Sequence, residues 1–239
     1  MTGVMTLYRT SIGKKVVMAV TGLILLGFVV VHMIGNLKVF AGAAALNEYA
    51  YHLRLLGEPI FGYEQFLWIA RVVLLGAVVM HIVSAAQLTI QNRNSRSTSY
   101  DQSKGIQPAY RYASYTMRWG GIVILLFIIF HLLHFTFGFV GYGSGGFLHP
   151  EGAGYNTTFY VYDNFINGFR VPIVSIFYMI AMVALALHIY HGTWSMFQTL
   201  GLNGSRTDGM WRGLAAVLAL AVGIGNISMP LAVLTGIIG

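Results

Sequence analysis

Residues 119–139, WGGIVILLFIIFHLLHFTFGF, run for about 20 positions without one charged side chain. A helix of that length crosses the roughly 30 Å hydrocarbon core of a bilayer. His131 and His134 sit near its middle, one helical turn apart. An ionisable side chain at that depth is expensive and marks a functional site by default. Three other long apolar stretches carry histidine at similar depth: His32, His81, and the pair His188 and His191. Four membrane helices presenting histidines to one another build a site for something that imidazole ligates.

The composition agrees with a membrane protein. Of 239 residues, 56% are hydrophobic and only 9% charged, against about 25% charged in a soluble domain. The absence of cysteine excludes disulfides, thiolate ligands and iron–sulfur clusters held by this chain. The net charge of +7 reads as basic loops on one side of a membrane, not as a nucleic-acid surface. The first fifteen residues lead into an apolar run too long for a signal-peptide core, so this segment reads as a retained first helix.

The expected architecture is an all-α membrane protein with five transmembrane helices, at about 16–39, 66–91, 119–139, 171–199 and 214–238, in one domain over 1–239. The run GIGNISMP at 223–230 should weaken or kink the fifth, because Pro230 cannot donate to the helical ladder. Residues 43–56 read as a short surface helix and 141–154 as irregular. Arg9, Lys14, Lys15, Arg93, Arg96, Lys104, Arg111, Arg118, Arg206 and Arg212 fall on one side. Lys38, Arg54 and Arg170 fall on the other, with Arg71 just inside the membrane. Basic loops stay in the cytoplasm, so the N-terminus is expected inside and the C-terminus outside. One internal similarity joins two spans: Leu25-Leu26-Gly27-x-Val29-Val30-x-His32 matches Leu74-Leu75-Gly76-x-Val78-Val79-x-His81. Each glycine would let a flat ligand approach the backbone before its histidine.

Depth sorts the histidines into two layers. At a rise of about 1.5 Å per residue, His32 lies roughly 24 Å from the inner boundary, His131 about 18 Å and His134 about 22 Å. His81 and His188 both lie about 16 Å above it, and His191 about 12 Å. The first and third spans therefore offer an outer pair, the second and fourth an inner pair. Paired imidazoles on facing helices suit six-coordinate haem b. Zinc takes three or four ligands at one point, often with carboxylates, and these spans hold no Asp or Glu in their interior. That also argues against the rival reading, a histidine-relay transporter or channel, since proton-driven carriers commonly use intramembrane acids. His52 and His149 lie in outer loops.

The segments HMIGNLKVF from His32, HIVSAAQLTIQNR from His81, RWGGIVILLFIIFHLLH from Arg118 and LHIYHGTWSMFQTLG from Leu187 carry a resemblance. Over essentially its whole length the chain resembles the cytochrome b membrane-anchor subunit of succinate:quinone oxidoreductases and fumarate reductases, in the five-helix, two-haem form. The resemblance implies that the first four helices bundle around two b haems. His32, His81, His131 and His188 would be the axial ligands, paired His32 with His131 and His81 with His188. Within each turn-spaced pair, periodicity does not choose. On the fourth span both depth and the family's glycine spacing favour His188. On the third, depth favours His134, while the spacing from Gly121 favours His131. His134 and His191 would then be supporting groups. Some members carry a glutamate near the fourth ligand for transmembrane proton transfer; residues 185–190 here contain no acid.

The function implied is electron transfer. A flavoprotein subunit would oxidise succinate and an iron–sulfur subunit would pass electrons through the haems to a membrane quinone, with this chain anchored in the cell inner membrane. The basic inner face would dock the soluble partners. Nothing here resembles a flavin or dicarboxylate site, so the chain alone is not expected to oxidise succinate. A quinone needs polar groups in an otherwise apolar slot. Glu58, Glu64 and Arg71 offer this on the outer side, Ser11 and Lys14 on the inner side.

Overall fold

The apolar runs and their punctuation predict long helices, and a computed structural model, which describes residues 8–94 and 108–239, is helical with no strand among them. Thr10 opens α1 (Ser11–Asn36) by accepting the Gly13 N–H on its hydroxyl at 3.0 Å, an ordinary N-cap. A 3-10 turn over Leu37–Ala41 follows, and Gly42, at a φ of 91°, turns the chain into α2 (Ala43–His52). α3 covers Gln65–Asn94 and α4 covers Pro108–His131. A π-helical turn, Leu132–Thr136, ends α4. α5 (Val161–Phe169) and α6 (Pro172–Thr199) meet at a corner where Pro172 sits at the first turn of α6, which suits its fixed φ and missing N–H. There the Ser175 hydroxyl donates to the Phe169 carbonyl at 2.6 Å. α7 is Asp208–Leu234.

Five of these helices, α1, α3, α4, α6 and α7, are long and apolar enough to cross a membrane, which makes this a multi-pass membrane protein. Their outward faces carry large exposed apolar side chains such as Val72, Leu75, Leu126, Ile180 and Leu220. A water-facing surface would not tolerate so continuous a coat, and lipid accepts it. Small residues let the helices close in on one another. Gly223 of α7 stands where a Cβ would come 3.2 Å from the Ala186 Cβ of α6, and Gly225 lies against Met33 of α1.

The predicted ends differ from the observed ones for a physical reason. α4 begins at Pro108, eleven residues before the apolar run at 119. An apolar run reports where lipid begins, and a helix continues into the polar zone wherever its backbone permits. α7 continues through the buried Pro230 as one helix. Residues 43–56 form a helix only to His52, and α5 lies in a segment read as connection. Arg96, Asp101 and Lys104 lie outside the described residues.

Packing sets the helix order. α1 packs on α3 and α6, α6 packs on α4, and α7 covers α6. The first four spans thus stand in the order α3–α1–α6–α4, and no extensive contact joins α3 to α4 among the described residues. α2 and α5 lie across the end of the bundle away from the start of α1. There Val39, Leu46, Phe165, Phe169, Tyr178 and Met229 form the main core. The loops at that far end are tied by Arg54, which binds the Glu64 carboxylate at 2.7 Å and stacks on Phe159.

Candidate functional site: two histidine pairs on the bundle diagonals

In a four-sided bundle ordered α3–α1–α6–α4, α1 faces α4 across one diagonal and α3 faces α6 across the other. Each diagonal is spanned by a histidine pair. The rings of His32 (α1) and His131 (α4) have centroids 5.9 Å apart at an interplanar angle of 89°. Those of His81 (α3) and His188 (α6) are 6.3 Å apart at 63°. These are the helix pairs that depth gave; on the third span the ring opposite His32 is His131, which the resemblance favoured, and not His134, which depth favoured.

The two layers are well separated. Thr21 and Gly22 of α1 touch His81, and His32 lies ten residues beyond Gly22. Gly121 of α4 stands at the level of His188, where a Cβ would lie 4.0 Å from its Cε1; His131 is ten residues on. Tyr178 of α6 touches His131, ten residues before His188. Three helices therefore give the same separation of about 15 Å between layers. Arg71, ten residues before His81 on α3, stands at the level of the far-end pair and stacks its guanidinium on Trp68.

Each layer fixes one ring through its Nδ1. The Thr21 hydroxyl spends its single proton on the Val17 carbonyl at 2.7 Å, so it accepts from His81 Nδ1, 3.2 Å away. His81 therefore carries its proton on Nδ1 and leaves Nε2 bare. His131 Nδ1 lies 3.3 Å from the Tyr178 Oη, and its Nε2 is likewise the nitrogen left over. His188 has a buried Nδ1 without a hydrogen-bond partner among the described residues. His32 stacks on Phe28 with centroids 5.1 Å apart.

The neighbouring histidines are placed differently. His134 is fully buried. Its Nδ1 lies 2.9 Å from the Tyr178 Oη, and its other edge is walled by Gly141 and Gly168, where a Cβ would come 2.8 Å from Cδ2 and 2.5 Å from Nε2 respectively. No flat ligand fits between those surfaces. The π turn that contains His134 widens the helix just past His131, and both rings still reach the Tyr178 Oη. His191 makes its ring contact with Tyr190, at 5.2 Å.

Of the polar groups considered for a quinone, Glu58, Glu64, Arg71 and Lys14 have partners. Glu64 pairs with Arg54, and Glu58 accepts from the Tyr155 phenol at 2.8 Å, which raises the Tyr155 pKa above its ordinary value. At the other end, Lys14 Nζ lies 3.3 Å from Gln91 Oε1, beside an open depression lined also by Gln87, Ile90 and Asn94. Ser11 is exposed in the first turn of α1. Sequence reasoning missed Tyr178, Thr21 and Gly168. The first two left a signal, a hydroxyl deep inside an apolar run; Gly168 left none, because α5 was not expected.

The pairs fit two-faced metal ligation. Imidazole nitrogens at about 2 Å from a metal on each side, plus the half-ring behind each, put the centroids about 6 Å apart. Each layer offers two imidazoles, the number a haem iron takes at its axial positions. No protein-family model, curated protein or solved structure matches this chain.

Proposed function

We propose that this chain is the di-haem cytochrome b anchor of a succinate:quinone oxidoreductase. His32 and His131 would hold one haem b, and His81 and His188 the other. The observation that carries the reading is the pair of diagonal histidine couples, each at the spacing of two axial ligands and about 15 Å apart in depth. Haem b, when bound, supplies one-electron redox chemistry. The chain's own residues ligate it, orient the ligating rings and exclude water. Thr21 and Tyr178 hold the Nδ1 edges of His81 and His131, so that Nε2 is presented inward. Gly22 and Gly121, on the two helices that do not supply the His81–His188 pair, keep that layer free of side chains.

On this proposal the basic end of the bundle, with Lys14, Arg93 and Arg212, faces the cytoplasm of a cell with this chain in its inner membrane. An iron–sulfur subunit, reduced by a flavoprotein subunit, docks there, and electrons pass toward a membrane quinone. Single replacements test the assignment. His32→Ala and His131→Ala should each lose the same haem, and His81→Ala and His188→Ala should each lose the other, read from the redox titration of the haem that remains. Loss patterns that pair the histidines otherwise would refute it.

A further inference from the structure

The far-end pair is backed by a chain of groups that ligation alone does not require. His131 Nδ1, the Tyr178 phenol and His134 Nδ1 stand in sequence at 3.3 Å and 2.9 Å, within a cage of Phe127, Phe130, Phe135 and Phe169. Tyr178 has one proton to give. If His131 uses Nε2 toward the pair's centre, its proton is on Nδ1, and the phenol oxygen accepts it. The phenol proton must then go to His134 Nδ1, the nearer nitrogen, and the His134 proton sits on Nε2. That nitrogen has no hydrogen-bond partner among the described residues and lies against Gly168. His134 thus turns an acceptor toward Tyr178, with no other donor to it among the described residues.

We infer that Tyr178 and His134 are positioning residues that make His131 a stronger electron donor to its metal, and so hold the far-end haem at a lower potential than His131 alone would give. The inference rests on the haem reading above. A phenol whose own proton is drawn away by His134 is a better acceptor for the His131 N–H, and a more strongly accepted N–H leaves a more basic Nε2, which favours ferric over ferrous iron. The closest counterpart at the other layer is Thr21, whose proton goes to a backbone carbonyl. The two sites are therefore tuned by different chemistry.

The test is a redox titration of the purified protein, with both haems resolved, for wild type, Tyr178→Phe and His134→Leu. Tyr178→Phe removes one oxygen and keeps the ring. It should raise the far-end haem potential by about 59 mV, a tenfold change in the ferrous-to-ferric ratio at fixed potential, and leave the other haem unmoved. His134→Leu should move the same haem in the same direction by less, because the phenol remains, and decides the matter alone if Tyr178→Phe does not assemble. Two haems with unmoved potentials in the variants would overturn the inference while leaving the haem assignment intact. Equal shifts in both haems would also overturn it, as a general loosening of the bundle. A wild-type protein without haem would overturn the reading beneath it.

Discussion

Replacing Thr21 with Val removes a single hydroxyl from the layer that holds His81 and His188. Thr21 is 4% exposed, and valine keeps its branched shape, so little packing changes. The Val17 carbonyl loses the hydroxyl but keeps its helical N–H, a cost of less than about 1 kcal/mol. The consequence for His81 is larger. Its Nδ1–H loses the hydroxyl at 3.2 Å and keeps the Met18 carbonyl as an alternative acceptor, so the loss is that of one hydrogen bond, about 0.5–1.5 kcal/mol. At 1.4 kcal/mol per factor of ten, that is a loss of about 2- to 12-fold, at the lower edge of the range for removing a hydrogen-bond partner behind a metal ligand. The bundle should therefore melt almost where the wild type does, while one haem dissociates several-fold more readily. The assay is transfer of haem to an excess of a scavenging globin, followed in detergent, with Thr21→Ser as the control that restores the hydroxyl. Equal retention of both haems in Thr21→Val, or equal loss of both, would refute the reasoning.

Other changes probe other contacts. His191→Ala should retain two haems per chain, because its ring meets Tyr190 and not the diagonal; loss of one haem would transfer the ligand role from His188. Gly168→Ala gains up to about 1 kcal/mol of helix propensity, but its Cβ would come 2.5 Å from His134 Nε2, and overpacking costs about 1–3 kcal/mol. A lower melting temperature in detergent is expected, and a higher one would mean that His134 is not held as described. Reporter fusions after Asn203 and after Gly239 should report opposite sides of the membrane, inside and outside respectively; the same side for both would remove α7 as a crossing.

The five crossings were legible because lipid demands long uncharged runs, and 119–139 could not be read otherwise. The pairing of helices was legible because axial rise converts sequence position into depth, which matched His81 with His188; depth misjudged the third span, where it favoured His134 and the glycine spacing favoured His131, the ring that faces His32. Three features were hidden. α5 is short and sits across the bundle end, so its segment carries no run of membrane length. The π turn after His131 is a local change of backbone winding with no residue signature, yet it carries His134. The partners of the rings were hidden as well. Tyr178 and Thr21 are polar tips on apolar faces, and which histidine each meets depends on which helices adjoin.

Haem content decides whether the histidine pairs are axial ligands. The chain should be expressed with haem in supply, purified in detergent, and measured by its reduced-minus-oxidised spectrum and by extraction of its haem as the pyridine complex. A b-type, six-coordinate spectrum with two haems per chain is expected. A colourless protein that is nonetheless folded and helical would contradict it.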